Sequence, residues 1–339
     1  MWRAIQLADQ ASGCLLPNPR VGAVVTLDDR ILGEGFHRGP GSPHAEVMAI
    51  IDARRNGLSD FSRAELFVSL EPCCHRSKRT PPCVPLIQEL GFKRVHVSHR
   101  DPNPKVRGQG IAALETSAIE VMVGDQEQAA YILNQAYIKN QKRKEPYVHL
   151  KLAMTFDGKM ADDQGRSKWI TGELARQKVH ELRNRCSAIL TTANTIEADN
   201  PRLTVRLRGE ERGTKILIWG RSPQRTKAWK FLKQAKGVMI SKRGETLKSF
   251  LRRALHEAEA GEILVEAGPR LASLILKNQL ADRLHLFYGS GFLGGRGKFS
   301  IGQDWRDAKL PRIKKIKMSS HDLLEGDLYL SSFLKLYRP

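Results

Sequence analysis

The segments His44-Ala45-Glu46, Glu71-Pro72-Cys73 and Pro81-Pro82-Cys83 together offer one imidazole, two thiols and a carboxylate that is not needed as a ligand. Three protein ligands suit a tetrahedral zinc that keeps its fourth position open for water, as a reactive centre does and a closed structural site does not. Zinc held by His44, Cys73 and Cys83 would lower the pKa of its water. Glu46 would then carry protons from that water to a leaving group. Hydrolysis at an amino-bearing ring carbon is the chemistry this set supports, with ammonia as the leaving group.

A His-x-Glu pair upstream of a Pro-Cys pair is the pattern of zinc-dependent nucleobase deaminases. The spacing departs from the common Cys-x-x-Cys, because nine residues separate Cys73 from Cys83. Residues 74–80 must therefore loop out for both sulfurs to meet one metal. The same stretch allows a closed site of Cys73, Cys74, His75 and Cys83, but that grouping leaves His44-Ala45-Glu46 without a role. Otherwise Cys74 and His75 are bystanders beside the metal, and Cys14 and Cys186 are small core residues.

The elements that would position these groups follow from hydrophobic patterning. Val21–Val25 and Ile31–Gly35 form short strands joined at Asp28-Asp29. A helix from Ala45 to Arg55 follows the Gly39–Pro43 turn. Glu65–Leu70 is a strand delivering Cys73, Val84–Leu90 a helix just after Cys83, and Arg94–Ser98 the next strand. Ligands at strand–helix junctions suit a site at a sheet edge, and a nearby helix N-terminus favours thiolates. At 339 residues the chain suggests two cores, and the polar run 139–146 places the boundary, giving domains 1–144 and 145–339. The second half repeats the α/β alternation. Strands are expected at Tyr147–Ala153, Ala188–Thr191, Lys215–Trp219, Gly237–Ile240, Glu262–Glu266 and Leu284–Tyr288, with a helix at Arg270–Leu276, which indicates a mainly parallel sheet.

Composition narrows the function classes. Five cysteines without regular spacing argue against a disulfide scaffold and fit a reducing cytoplasm. No apolar run reaches the roughly 18 residues of a membrane span, and the N-terminus is an amphipathic helix with polar residues, unlike a signal peptide. The net charge of +20 raises nucleic-acid binding as a reading. The cations are spread along the chain, however, without the aromatic interleaving that stacks single-stranded bases. In the second half, Glu266-Ala267-Gly268-Pro269 joins a strand to a helix and offers an anion site. The loop Gly289–Gly295 could let backbone approach a phosphate, and Asp199-Asn200-Pro201-Arg202-Leu203-Thr204-Val205-Arg206 adds a carboxylate and two guanidiniums. These features alone give a cofactor or phosphosugar domain, with plain turn chemistry as the alternative.

The order of motifs resembles the RibD family, the bifunctional deaminase–reductases of riboflavin biosynthesis. The first half carries Pro17-Asn18-Pro19-Arg20-Val21-Gly22, Gly33-Glu34-Gly35-Phe36-His37, His44-Ala45-Glu46, Glu71-Pro72-Cys73, Arg79-Thr80-Pro81-Pro82-Cys83 and Asp101-Pro102-Asn103-Pro104. The second carries Lys151-Leu152-Ala153, Asp157-Gly158, Ser167-Lys168-Trp169-Ile170-Thr171, the Asp199–Arg206 run, Glu266-Ala267-Gly268 and Leu293-Gly294-Gly295. The chain departs from the family pattern at Arg76-Ser77-Lys78, one residue longer than usual. It departs again at Thr191–Thr195, where bulkier residues replace the glycines often found ahead of a cofactor threonine.

The resemblance implies an α/β protein: a cytidine-deaminase-like three-layer α/β/α domain followed by a dihydrofolate-reductase-like α/β domain. It assigns zinc to His44, Cys73 and Cys83 with Glu46 as the catalytic proton carrier. NADPH falls to Ala153, Trp169, Thr195, Asp199, Gly268, Pro269, Arg270, Leu271, Ala272, Ser273 and Leu274; apart from the resemblance, analogy with dinucleotide sites points to 221–227 for cations facing its 2′-phosphate. The phosphoribosyl pyrimidine substrate falls to Ser167, Arg183, Leu203, Arg206 and Glu266. The resemblance further implies a cytoplasmic homodimer formed through the second domain, with no nucleic-acid or membrane partner. Two other readings compete: a nucleic-acid-editing zinc deaminase with an unrelated tail, and a zinc-stabilised binding module without catalysis.

Overall fold

The structure, a computed structural model, describes residues 1–11, 13–75, 80–117, 119–162, 164, 170–223, 229–294, 317–324 and 327–334. The chain divides into two units, Met1–Arg143 and Lys144–Leu336.

In the first unit, α1 (Trp2–Gln10) precedes the hairpin β1 (Gly22–Leu27) and β2 (Arg30–Phe36). Then come α2 (Ala45–Arg55), β3 (Glu65–Val68), α3 (Cys83–Leu90), β4 (Arg94–Val97), α4 (Gln109–Glu115), β5 (Glu120–Val123), α5 (Glu127–Leu133) and α6 (Gln135–Arg143). Asp28 and Asp29 both take positive φ, 48° and 61°, as a tight turn between right-twisted strands requires. The strand order is β2-β1-β3-β4-β5. β1 runs antiparallel to both neighbours, while β3, β4 and β5 are parallel. Alternation along β1 separates the two faces of the sheet. Val24 packs with Ala4 and Leu7 of α1, and Ala23 and Val25 pack with Ala45, Ala49 and Ile50 of α2 and Val84 and Ile87 of α3. The result is three layers.

The seating of α2 decides where His44 and Glu46 stand. A Cβ on Gly33 would lie 2.1 Å from the Ala49 carbonyl oxygen, and one on Gly35 would lie 2.4 Å from that of Ala45. Alanines 45, 49 and 53 on the helix are fully buried, so α2 rests directly on the backbone of β2. The polar stretch 139–146, where the sequence reading places the domain boundary, contains the division between the units, and it is helix as far as Arg143. Gln135, Tyr137, Ile138 and Lys139 are buried, and tertiary burial there outweighs the polar look of the sequence. The helix stops at Lys144, which has φ +53°.

The second unit contains β6 (Tyr147–Thr155), α7 (Glu173–Arg185), β7 (Ala188–Thr192), α8 (Ala193–Asp199), β8 (Val205–Leu207), β9 (Glu210–Arg212), β10 (Lys215–Trp219) and a 3-10 turn (Lys230–Lys233). It continues with β11 (Gly237–Ile240), α9 (Leu247–Glu257), β12 (Glu262–Glu266), α10 (Pro269–Lys277), β13 (Arg283–Gly289), β14 (Lys317–Leu324) and β15 (Asp327–Phe333). The eight-stranded sheet runs β11-β10-β7-β12-β6-β13-β15-β14. Its first six strands are parallel, β15 pairs antiparallel with β13, and β14 pairs antiparallel with β15. Ile263 and Val265 face α9 and α10, whereas Leu264 faces Val179 and Leu182 of α7. His149 and Lys151 alternate with Val148, Leu150 and Leu152 of the opposite face, which puts them on the α7 side.

Two outcomes test this packing. Gly35→Val should destabilise the protein by about 1–3 kcal/mol through overpacking, read as a lowered thermal midpoint; an unchanged midpoint would mean that α2 is not seated on β2. The second concerns His99, which is fully buried, donates from Nδ1 to the Arg100 carbonyl at 2.8 Å, and is held by burial at a pKa of about 4. The unfolded chain takes up this proton first, near pH 6.5, so stability should fall as the pH drops from 6.5 to 4, by up to about 3 kcal/mol. Urea titrations across that window should show a shallower loss for His99→Gln than for the parent. Equal slopes would remove His99 as the cause.

Candidate functional site

Two helix N-termini meet at the carboxyl end of β3. His44 is the extended residue that caps α2, and Glu46 lies in that helix's first turn. The Cys73 carbonyl accepts hydrogen bonds from the Cys83 and Val84 N–H groups at 3.0 and 3.2 Å, which ties the start of α3 to the strand exit. These bonds close the loop that the wide Cys73–Cys83 spacing demands. His44 Nδ1 stands 3.1 Å from Cys83 Sγ and 3.5 Å from Cys73 Sγ, and the two sulfurs are 3.9 Å apart. A zinc with bonds of about 2.0 Å to nitrogen and 2.3 Å to sulfur needs ligand–ligand edges of about 3.5–3.8 Å, so the three atoms fit one face of such a tetrahedron. Cys74 and His75 are half-buried and stand outside this group.

The electrostatics of the site fit a cation. Cys83 is pushed well up by its hydrogen bond with Cys73, by burial and by the neighbouring Glu46. Burial and then Cys73 raise Glu46, with His44 opposing. Two thiols and a carboxyl therefore crowd a water-poor spot that a divalent ion would relieve.

Three supports were not singled out by sequence reasoning. His44 Nε2 lies 2.8 Å from Thr80 Oγ1. If Nδ1 held a metal, Nε2–H would donate to that hydroxyl and fix the ring. His37 meets the His44 ring edge-on at 5.7 Å and is itself held by Asn18 at 2.8 Å and the Pro43 carbonyl at 3.2 Å. The buried Glu71 carboxylate accepts four backbone N–H groups, from Asp101, Gly108, Gly110 and Ile111, at 3.0–3.3 Å. It pins the strand exit to the start of α4, where a Cβ on Gly110 would stand 2.2 Å from the Pro72 carbonyl oxygen.

In the second unit the polar groups gather toward the carboxyl ends of the parallel strands, the usual ligand side of such sheets. Arg183 makes a bidentate pair with Glu266, at 2.5 and 2.9 Å, and donates to the Thr204 carbonyl at 2.9 Å. Burial would raise Glu266, but Arg183 and Lys151 outweigh it and hold the carboxyl down. Lys151 pairs in register with Glu266, and burial lowers its pKa against the pull of that carboxylate. Arg206 is exposed and its guanidinium lies against the buried His180.

The remaining expected residues divide. Thr195 is in the first turn of α8, where Thr192 Oγ1 caps its N–H at 3.3 Å. Asp199 ends that helix, and Ala153 sits on β6. Gly268, Pro269 and the exposed Arg270 open α10, while Leu271, Ala272 and Ser273 are buried. A ligand there would meet the first-turn N–H groups, which have no intrahelical partner. The Leu203 side chain is buried with Ile189, Ile196 and Ile216, so only its backbone could face a substrate. The loop after β13 differs from the expectation of an open phosphate cradle. The N–H groups of Leu293 and Gly294 go to the Asp157 carboxylate at 3.3 and 2.8 Å, because a fixed anion on the β6 turn reaches them first. Arg221 pairs with Glu197. Ser167, Trp169, Gly295, residues 224–228 and the Arg76–Arg79 segment lie outside the described residues.

A second cluster, His149, Cys186 and Glu262, also brings metal-ligand types together in the interior. Here His149 Nε2 donates to Glu262 Oε1 at 2.8 Å. Its Nδ1 accepts from His285 Nε2 at 2.9 Å, and His285 Nδ1 accepts from the Tyr329 hydroxyl at 2.8 Å. One proton setting satisfies this whole chain, and Cys186 packs with Val179 and Leu182 as a core residue. Among the described residues, no helix is long and apolar enough to cross a membrane.

Residues 1–99 match the family described as the cytidine and deoxycytidylate deaminase zinc-binding region, and residues 146–324 match the RibD C-terminal domain. The chain is 38% identical over 346 residues to the riboflavin biosynthesis protein RibD of Aquifex aeolicus, covering 95% of each chain. It is 33% identical to that of Escherichia coli, covering 93% of this chain and 94% of the relative. Its fold is similar to a solved diaminohydroxyphosphoribosylaminopyrimidine deaminase/5-amino-6-(5-phosphoribosylamino)uracil reductase from Thermotoga maritima. That similarity has a TM-score of 0.87 and 38% identity, covering 98% of this chain and 97% of the other. The match over 146–324 disfavours the editing deaminase with an unrelated tail.

If Glu71 holds the metal strand in place, Glu71→Gln puts an amide donor against backbone donors and should cost about 2–4 kcal/mol. It should also weaken zinc retention by roughly 10–100-fold in chelator competition. Wild-type stability and zinc retention would make the four hydrogen bonds incidental.

Proposed function

Because the chain belongs to the RibD family, the deaminase–reductases of riboflavin biosynthesis, we propose that its first unit removes the 2-amino group of 2,5-diamino-6-(5-phosphoribosylamino)pyrimidin-4-one. The second unit then reduces the ribose of the product to ribityl with NADPH. The observation that carries the first step is the His44–Cys73–Cys83 triangle with Glu46 beside it. Zinc bound there would lower the pKa of a water and so supply a nucleophile at neutral pH. Glu46 accepts the proton that the attacking water gives up and delivers it to the departing amino nitrogen, so that ammonia leaves as a neutral molecule. Its burial, which raises its pKa, suits a carboxyl that must both take and return a proton. Thr80 and His37 keep the His44 ring turned toward the metal side.

In the second unit the start of α10 at Gly268–Arg270 and the Thr195 turn of α8 support the cofactor assignment, as helix N-termini beside strand ends suit a pyrophosphate. Bound NADPH would supply hydride to the carbonyl carbon of the open-chain sugar. Lys151, in register beside Glu266 and with its pKa lowered by burial, would hydrogen-bond the carbonyl oxygen and give it the proton that completes the alcohol. Glu266 and Arg183 hold that lysine's surroundings fixed, and Arg206 offers its charge to the phosphate. A homodimer through the second unit and a cytoplasmic location complete the reading.

The test supplies the zinc-loaded protein with NADPH and the undeaminated phosphoribosyl diaminopyrimidinone alone. Ammonia release together with NADPH oxidation is expected; silence in both channels would remove the proposal. Glu46→Gln should keep one zinc per chain yet lose ammonia release by about 10²–10⁴-fold. It should regain NADPH oxidation when given the deaminated compound. Lys151→Met should do the reverse, releasing ammonia without oxidising NADPH.

A further inference from the structure

We propose that His180 is a positioning residue for the reductase substrate: its neutral imidazole aims the Arg206 guanidinium at the sugar phosphate without cancelling its charge. This rests on the assignment of Arg206 to that phosphate. His180 and Arg183 stand one turn apart on α7, on the face that packs against β8. His180 is 8% exposed. Its Nε2 lies 3.1 Å from Arg206 Nη2 and 3.3 Å from Arg206 Nε, its Nδ1 lies 3.2 Å from the donating backbone N–H of Arg206, and the ring also engages the Thr204 backbone, whose carbonyl Arg183 binds at 2.9 Å.

Arg206 presents a donor to each ring nitrogen, its backbone N–H to Nδ1 and its guanidinium to Nε2. A neutral ring protonated on Nδ1 accepts from the guanidinium at Nε2. With the proton on Nε2, an N–H would face two guanidinium N–H groups. A doubly protonated ring would lose its acceptor and stand between two arginines. Burial, then Arg183 and Arg206, hold the pKa at about 4, so the ring stays neutral at working pH.

The contrast with the neighbouring arginines explains why a histidine is useful. Arg183 is neutralised by its bidentate pair with Glu266, and Arg202 pairs with Glu211. The Arg206 guanidinium leans on an uncharged ring, and the carboxylate that acts on it, Glu211, is its register partner across β9 and bonds Arg202 and Thr204. An arginine oriented by a neutral acceptor keeps its full charge for a phosphate dianion. It also loses less rotamer freedom when the ligand arrives.

The experiment measures NADPH oxidation with the deaminated phosphoribosyl substrate and with its dephosphorylated counterpart, for wild type, His180→Leu, His180→Gln and Arg206→Ala. The wild type should favour the phosphorylated compound through KM. His180→Leu fills the same space without an acceptor. It should raise that KM by about tenfold, the effect of one charge-assisted hydrogen bond, with kcat within a factor of about three. The KM for the dephosphorylated compound should not move. His180→Gln keeps an acceptor and should restore most of the difference, and adding His180→Leu to Arg206→Ala should change nothing further. Ammonia release from the other unit serves as the check on folding. If His180→Leu fails that check, the proposal stands or falls on His180→Gln against wild type, where a full tenfold loss overturns it. A wild type that ignores the phosphate would remove the Arg206 assignment itself, and this proposal with it. A wild type that discriminates while His180→Leu matches it, or equal KM losses on both substrates, would overturn the role of His180 alone.

Discussion

The first unit depends on one carbonyl. The Cys73 oxygen accepts from both Cys83 N and Val84 N, and through those bonds a loop of nine intervening residues returns to its starting point. Loop closure is entropically unfavourable, and residues 74–82 are too polar to close it by burying apolar surface. The hydrogen bonds hold the second sulfur within 3.9 Å of the first. The third ligand comes from α2, whose distance from the sheet is set by the absence of side chains at Gly33 and Gly35. An ordinary helix–sheet separation would lift His44 away from both sulfurs.

The second unit solves a different problem with similar means. A bidentate Arg183–Glu266 pair, each side chain 12% exposed, must offset the desolvation of both charges, and the extra bond from Arg183 to the Thr204 carbonyl helps it do so. The pair links α7, β12 and the segment before β8 at one point. Lys151 joins the same group from β6. Under the proposed function, a substrate entering here would meet an arrangement of charges already fixed by the fold, which would limit the reorganisation needed when a carbonyl is reduced.

Much of this was visible in the residue order. The strands Lys215–Trp219, Gly237–Ile240 and Glu262–Glu266 occupy the ranges expected of them, because each is a short apolar run between polar or glycine boundaries. The helix beginning at Ala45 follows a Gly-Pro-rich turn that stops anything before it. Other features were hidden for identifiable reasons. α7 reads Glu-Leu-Ala-Arg-Gln-Lys-Val-His-Glu-Leu-Arg-Asn-Arg, too charged to announce itself, since its inward face uses His180 and Arg183 as well as apolar residues. The Asp157 carboxylate reaches the Leu293 and Gly294 N–H groups from more than 130 positions away, and no local pattern carries such a contact. Thr80 and Glu71 lie inside segments that were noticed for their cysteines. Their importance comes from what they touch: a ring nitrogen in one case and four backbone donors in the other.

The two clusters of metal-ligand types show why residue identity alone does not define a metal centre. Around His149 each nitrogen and oxygen can be matched, donor to acceptor, by a single chain from the Tyr329 hydroxyl to Glu262. That chain is uncharged until the carboxylate, which Arg185 approaches at 3.4 Å. A cation placed there would have to displace a proton from a bond that is already satisfied. Around His44 the situation is the opposite. Two thiols face one another and a buried carboxyl, and weak S–H donors cannot satisfy a carboxylate and an imidazole together. Cys73 and Glu46 push Cys83 up, and burial and Cys73 push Glu46 up, so the cluster is poorly stabilised by protons alone and well stabilised by a divalent ion. The unit that cannot balance its own charges is the one built to hold a metal.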